Sequence, residues 1–407
     1  MKRFSRFFQQ PAFHNYDCRD ALNDPTRSAE HASWTNPKYY PHSQTFSEHH
    51  RISQNARCNK VIERIILVTG GAGFIGSHLT QELLNQGHKV TILDNFSNGK
   101  MKNIQHSLGN PSLAIVKEDL KRPKKLRQII NASDTIFHLA ANPEVKLGET
   151  DPKTHFEENI LATFNLLETM RKSGKPKTLV FTSTSTVYGE ATQVPTREDY
   201  APLIPISTYG ASKLACEALI TSYAHTFNHR ALILRLANII GPRSNHGIIV
   251  DFIKKIKANP TELTILGDGN QKKSYMYITD CTSAIIHLTE TFSKSTQKTD
   301  IFNLGSNDKI TVTQIAKTLA QLMNTPNIEY KFTGGVDGGR GWKGDVKTMQ
   351  LSIDKLAKTG WKPNYTSKQA VKLAAKALIQ ENTTPQQTHA NRPNTKKQPN
   401  PQPRTAF

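Results

Sequence analysis

A doubly wound parallel α/β sheet with a smaller C-terminal α/β lobe is the fold the chain predicts, from three observations. Short β-rich runs alternate with helical segments through the first part of the ordered sequence, as strands joined by crossover helices do. The turn Gly71-Ala72-Gly73-Phe74-Ile75-Gly76 follows the first run and opens the first helical segment. Tyr209 and Lys213 stand four residues apart in a later helical segment, at a distance from that turn that fits one nucleotide-binding domain.

Residues 1–60 are rich in Asn, Ser, His and Arg and lack sustained apolar periodicity, which predicts a disordered N-terminal extension. Its basic, aromatic start resembles a targeting segment, but Asp17, Asp20 and Asp24 follow soon after, and no apolar stretch suits a signal peptide. Six apolar runs come next, at 65–68, 90–93, 113–116, 135–139, 178–181 and 231–234, each apolar enough for a strand buried on both faces. Helices are predicted over 75–86, 154–172 and 209–227, and in the second Phe156, Ile160, Phe164 and Leu167 recur at helical spacing. Beyond about Gly241 the alternation weakens. The chain is therefore expected to divide into a dinucleotide-binding domain over 61–240 and a smaller substrate-binding lobe over 241–382, some segments of which return to the first domain. Residues 383–407, rich in Pro, Gln and Asn, read as a disordered tail.

A chain of 407 residues can bury a sizeable core. It has no run of about 18 apolar residues, so no bilayer span is predicted. The four cysteines, Cys18, Cys58, Cys216 and Cys281, form no CxxC pair, which argues against a zinc site or disulfide framework and fits the reducing cytoplasm. The formal charge of +20 invites a nucleic-acid reading. Residues 1–60, however, carry nine Lys/Arg against five Asp/Glu, and residues 383–407 carry four cations and no acid, so eight of the 20 charges lie in the tails. Without an aromatic-basic motif or a helix-turn-helix, a basic enzyme with an anionic substrate is the better reading.

In the glycine-rich turn, Gly71 and Gly73 let backbone approach a pyrophosphate, Gly76 permits close helix-to-strand packing, and the free N–H groups of the helix start face the anion. Asp94 ends the second run, where a carboxylate can take the hydroxyls of an adenosine ribose; that favours NAD over a 2′-phosphorylated cofactor. Asp94 could instead cap a turn with Asn95. Lys100, the nearest cation, could serve a pyrophosphate, and Asp119 is a candidate for the adenine edge or a surface acid.

Helical spacing puts Tyr209 and Lys213 on one face, one turn apart. A cation there favours phenolate, and a positively charged nicotinamide ring would add to the effect. The run Phe181-Thr182-Ser183-Thr184-Ser185-Thr186-Val187-Tyr188-Gly189 follows a strand, so its hydroxyls fall at the carboxyl edge of the sheet, where ligands bind in open α/β folds.

Several motifs in order give the chain a resemblance. They are Thr69-Gly70-Gly71-Ala72-Gly73-Phe74-Ile75-Gly76, His138-Leu139-Ala140-Ala141, Asn159, Thr186-Val187-Tyr188-Gly189, Tyr209-Gly210-Ala211-Ser212-Lys213, and Asn238 with Gly241-Pro242-Arg243. Over roughly residues 64–382 the chain resembles an extended short-chain dehydrogenase/reductase with a Rossmann-type fold, of the NAD-dependent nucleotide-sugar epimerase type, closest to the UDP-glucose 4-epimerase group. The resemblance implies a tightly bound NAD and a homodimer built through helices near 154–172 and 209–227. It implies Tyr209 as the catalytic base, Thr184 as the catalytic hydroxyl, and Lys213 as the residue that orients the nicotinamide ribose.

Cofactor contacts are implied for Gly70, Gly73, Phe74, Ile75 and Gly76, for Asp94, Asn95 and Lys100, and for Asp119 and Leu120. They are also implied for Leu139, Ala140 and Ala141, and for Asn159, Ser183, Tyr209 and Lys213. Substrate contacts are implied for Thr184, Tyr209, Asn238, Lys273, Arg340 and Asp345. Lys273 takes the place of the family's usual diphosphate-binding Arg, losing the bidentate fork but keeping the charge. Arg340 sits two positions before the family's commoner location. Related dehydratases place Asp-Glu directly after the catalytic Thr, and decarboxylases a Glu two residues after it; here these positions are Ser185 and Thr186. Epimerisation of UDP-glucose and UDP-galactose at C4 through a 4-keto intermediate is the expected activity. The alternatives are another nucleotide-sugar epimerase or oxidoreductase on the same scaffold, or a non-catalytic dinucleotide-binding protein.

Overall fold

The computed structural model describes residues 63–381. The expected N-terminal extension and C-terminal tail lie outside the described residues. Seven strands form the main sheet: β1 (Ile65–Thr69), β2 (Lys89–Asp94), β3 (Leu113–Lys117), β4 (Thr135–His138), β5 (Thr178–Thr184), β6 (Arg230–Leu236) and β7 (Thr299–Leu304). Their order is β3-β2-β1-β4-β5-β6-β7, every neighbouring pair parallel. This is a Rossmann-like sheet. The strand order reverses between β1 and β4, which opens a crevice at their carboxyl ends.

Strand alternation decides which side chains face which helix layer. Ile66 and Val68 of β1 join Phe137, Val180 and Leu232 in a core closed by Leu79 and Leu83 of α1 (Phe74–Asn85). Leu67 points to the opposite face, where Ile136, Leu179 and Ile233 pack with Leu166 and Met170 of α2 (Ala162–Lys172) and Ile220 of α3 (Thr208–Thr226). A further core gathers Phe252 and Ile256 of α4 (Ile248–Ala258) with residues from later segments. These are Ile315 and Leu319 of α6 (Val312–Leu322), which follows α5 (Ile278–Ser293), and Val371 and Leu378 of α7 (Ser367–Glu381).

All six predicted strands form, and β7 is an addition. Asp300 and Asn303 interrupt its apolar run, so it lacks the sequence look of a buried strand. The helix expected over 154–172 is divided into a turn at Pro152–His155, a π-helical stretch at Phe156–Leu161, and α2. In that region Phe156 and Phe164 are exposed, and Leu166, Leu167 and Met170 supply the apolar contacts to the sheet. Among the described residues no helix is long and apolar enough to cross a membrane.

Candidate active site

A cleft of about 1070 Å³ runs along the carboxyl ends of the strands and into the C-terminal segments. At one end β1 passes into Gly70, which adopts φ +71°, and a Cβ there would sit 2.7 Å from the backbone nitrogen of Ala140. A Cβ on Gly76 would sit 2.2 Å from the Gly70 carbonyl oxygen. Gly73 is the N-cap of α1 and offers no capping side chain, so the first N–H groups of the helix face the cleft beside Gly70, Phe74 and Ile75. A cradle that admits only glycine, closed by a helix start, fits the pyrophosphate of a dinucleotide.

Asp94, buried at the end of β2, lies beside this cradle. Its Oδ2 accepts the Ala72 N–H at 2.9 Å and its Oδ1 the Phe96 N–H at 2.8 Å. Burial raises its pKa, and those two donors pull it back. Asp94 therefore organises its own turn and still presents a carboxylate to the cleft. Asn95, Asp119 and Leu120 line the same end, with Asn95 donating to Asp119 at 3.3 Å. Lys100 is not among the lining residues; its N–H caps the Ala72 carbonyl at 3.0 Å.

Leu139, Ala140 and Ala141 form the wall after β4. Behind them His138 is fully buried, bonded to Thr69 at 2.7 Å and Thr163 at 2.9 Å, and burial with the charge of Lys213 drives its pKa down to about 3. Asn159 does not line the cleft. Its Oδ1 accepts the Asn142 N–H at 2.8 Å and its Nδ2 donates to Ser212 at 2.9 Å, tying the wall loop to the helix that carries Tyr209.

Ser207 caps that helix by accepting the Gly210 N–H at 3.1 Å. Tyr209 thus stands in its first turn, edge-on to the His155 ring at 5.8 Å, and lines the cleft with Thr184, Ser183 and Lys213. Thr184 ends β5, where its hydroxyl accepts the Thr186 N–H at 3.2 Å. Burial pushes the Tyr209 phenol up to about 12, and the neighbouring Thr184 hydroxyl counters it. The expected fall toward neutral pH is therefore absent from the chain alone. Lys213 Nζ donates to the Thr182 carbonyl at 2.8 Å over the Phe181 ring, and burial lowers Lys213 itself to about 8. Cys216 and Glu217 raise it back.

The other end of the cleft carries Asn238, Lys273 and Asp345. Lys273 pairs with Asp345 at 2.5 Å and lies 5.5 Å from the centroid of the Trp342 ring. Asn238 Nδ2 donates to the Ser274 carbonyl at 3.0 Å. Arg340 is absent from the lining. Its guanidinium pairs with Glu190 at 2.9 Å and donates to the carbonyls of Asp345 and Asp337. Trp342 and Gln271 also stand in the cleft wall; in the sequence their neutral side chains are overshadowed by the charged Arg340 and Lys273 nearby.

The profile of the NAD-dependent epimerase/dehydratase family matches residues 66–305. The chain belongs to this family. NAD is its cofactor, and the glycine cradle beside Asp94 is where the residues present fit it. A Methanocaldococcus jannaschii protein provisionally named UDP-glucose 4-epimerase is 32% identical over 326 residues, covering 79% of this chain and all of that protein. UDP-glucuronic acid decarboxylase 4 of Arabidopsis thaliana is 29% identical, covering 77% of this chain and 68% of its own length. A crystal structure of UDP-galactose 4-epimerase is 40% identical with a TM-score of 0.68, covering 78% of this chain and 99% of that one.

Proposed function

We propose that this epimerase-family protein interconverts the C4 configuration of a nucleotide-diphosphate sugar, with UDP-glucose and UDP-galactose as the pair. The observation that carries the reading is the meeting of Thr184, Tyr209 and Lys213 in one cleft with the glycine cradle, while Ser185 and Thr186 supply no carboxylate. Elimination needs an acid and a base beside the hydroxyl pair; oxidation and re-reduction at one carbinol carbon needs neither.

NAD, when bound, supplies the hydride acceptor and donor. Tyr209 as phenolate takes the proton of the sugar 4-hydroxyl, with the Thr184 hydroxyl bridging the two, and later returns it. The chain must lower the Tyr209 phenol from its buried value near 12 for this to happen at working pH. The ammonium of Lys213 in the same wall, and the charge of the oxidised cofactor, act in that direction. Asn238, Lys273 and Asp345 hold the nucleotide end. A hexose bound less tightly than its nucleotide can turn over as the 4-keto sugar and present its other face. The exposed Phe156 and Phe164 support a homodimer formed through this side of the molecule.

Incubating the purified protein with a panel of nucleotide sugars and separating the C4 epimers tests the proposal. UDP-glucose should equilibrate with UDP-galactose without net change in NADH absorbance, and Tyr209→Phe should retain NAD but lose turnover. Net accumulation of NADH would instead assign a one-way oxidoreductase.

A further inference from the structure

His155 is buried at the end of the turn Pro152–His155 and does not line the cleft. Its Nε2 lies 3.0 Å from the Glu144 carbonyl oxygen, which can only accept, so Nε2 carries the hydrogen. The Nδ1 lone pair is then left to accept the hydroxyl proton of Thr208 at 2.8 Å. Both ring nitrogens are engaged and neither is aimed at a ligand, so His155 is no general acid or base. It nevertheless touches the proposed base directly: its ring stands edge-on to Tyr209, with centroids 5.8 Å apart and planes at 61°.

The bonds of this segment bracket Tyr209. Thr208 is the first residue of α3, one position before Tyr209, and Ser212 lies one turn further along the same helix. Ser212 accepts from Asn159, which also accepts the Asn142 N–H and stands four residues after His155. Two links therefore run from one segment to α3, at positions 208 and 212, with Tyr209 between them. Each link also fixes the loop 142–147 that lines the cleft, His155 through the Glu144 carbonyl and Asn159 through the Asn142 N–H. The junction is tight: a Cβ on Gly148 would lie 2.0 Å from Thr208 Oγ1 and 3.4 Å from His155 Cε1, so a side chain there would push Thr208 off the imidazole.

We infer that His155 is a positioning residue: by tying Thr208 to the wall loop and packing on the Tyr209 ring, it sets where the phenol stands relative to the sugar carbinol. The inference rests on the C4-epimerase reading and deepens it. A base that must serve both faces of one carbon tolerates little drift, and a misplacement of about 1 Å can cost about a hundredfold in rate.

Thr208→Val removes the hydroxyl while keeping the side-chain shape, and His155→Phe keeps a ring against Tyr209 while removing both nitrogens. In the NAD-loaded protein each should lower kcat for UDP-glucose at least about tenfold, with KM and bound NAD within about twofold of wild type. The double variant should be slower than the slower single variant by no more than about twofold, because both changes break one link. His155→Asn, whose amide oxygen can stand where Nδ1 does and accept from Thr208, should recover most of kcat. His155→Gln, whose amide reaches the Nε2 position instead, should not, and equal rescue by the two would overturn the inference. So would a kcat within about twofold of wild type in Thr208→Val, or parallel losses of kcat, substrate binding and NAD affinity, the mark of a loosened fold. If wild type interconverts UDP-glucose and UDP-galactose and the variants keep pace with it, this inference fails alone; if wild type epimerises no member of a nucleotide-sugar panel, the epimerase reading fails and takes this one with it.

Discussion

The ammonium of Lys213 donates to the Thr182 carbonyl oxygen at 2.8 Å, one helical turn from Tyr209 and under the end of the strand that carries Thr184. The cation is thus held by the sheet edge, and burial makes its charge expensive enough to lower its pKa from 10.5 to about 8. Below about pH 8 folded and unfolded chains both keep the proton, and the full burial cost is present. Between about 8 and 10.5 the folded chain has released a proton that the unfolded chain retains, so stability rises with pH across that window. Replacing Lys213 with Met removes this contribution. Denaturant unfolding of the cofactor-free protein at a series of pH values should show wild type gaining on the variant through the window, and a pH-independent difference would refute the buried-charge account.

Gly76→Ala should cripple the dinucleotide end of the cleft. The new methyl would lie 2.2 Å from the Gly70 carbonyl oxygen and 2.8 Å from the Gly71 Cα, both backbone atoms that cannot swing aside. Either the turn opens or α1 moves off the sheet. NAD affinity is expected to fall by at least about tenfold and the melting temperature to drop. Calorimetry and thermal unfolding check both, and a variant that binds NAD as wild type does would show that the close approach is dispensable.

The central strands were legible because parallel strands buried on both faces must be apolar throughout, as Ile66, Leu67 and Val68 are. The glycine turn was legible because its spacing is the geometry of the cradle. β7 was hidden by Asn303, which is buried not as an apolar filler but as a partner for Tyr188 at 2.8 Å and for the carbonyls of Thr196 and Ser352. Phe156 and Phe164 match helical spacing, yet the pattern cannot tell a face turned to the sheet from one turned outward. The Tyr209 titration is only partly legible for a related reason: sequence spacing shows the neighbouring cation, while the opposing effect of burial in the cofactor-free chain depends on segments far away. Trp342 was overlooked beside the more conspicuous Arg340, whose charge is spent on Glu190.

Asp94→Ala separates the two tasks of this carboxylate. It loses acceptors for the Ala72 and Phe96 N–H groups, which should lower stability by about 1–3 kcal/mol, and it takes away the carboxylate proposed to hold the cofactor ribose. NAD affinity should fall well beyond any change in UDP affinity, because Lys273 and Asn238 stand at the opposite end of the cleft. Parallel titrations with NAD and UDP decide the matter. Equal losses for both ligands would mean that Asp94 serves the turn alone.

Beyond the Thr184 hydroxyl lies an ion pair that the proposed chemistry does not touch. Arg235 meets Glu217 at 2.7 Å with both side chains almost fully buried, Ser183 donates to the same carboxylate, and Arg235 donates to the Tyr188 hydroxyl at 2.9 Å. Removing one partner leaves the other charge in the interior without compensation, at a cost of about 3–5 kcal/mol. Glu217→Leu and Arg235→Met should therefore each destabilise the protein strongly, while the double variant, which buries apolar groups of similar size, should lose much less than the sum. A double-mutant cycle by denaturant unfolding reads the coupling directly. Strictly additive losses would show that Glu217 and Arg235 support β5 independently. A large coupling would make the pair a single clamp that fixes Ser183, and with it the position of Thr184 at the strand end.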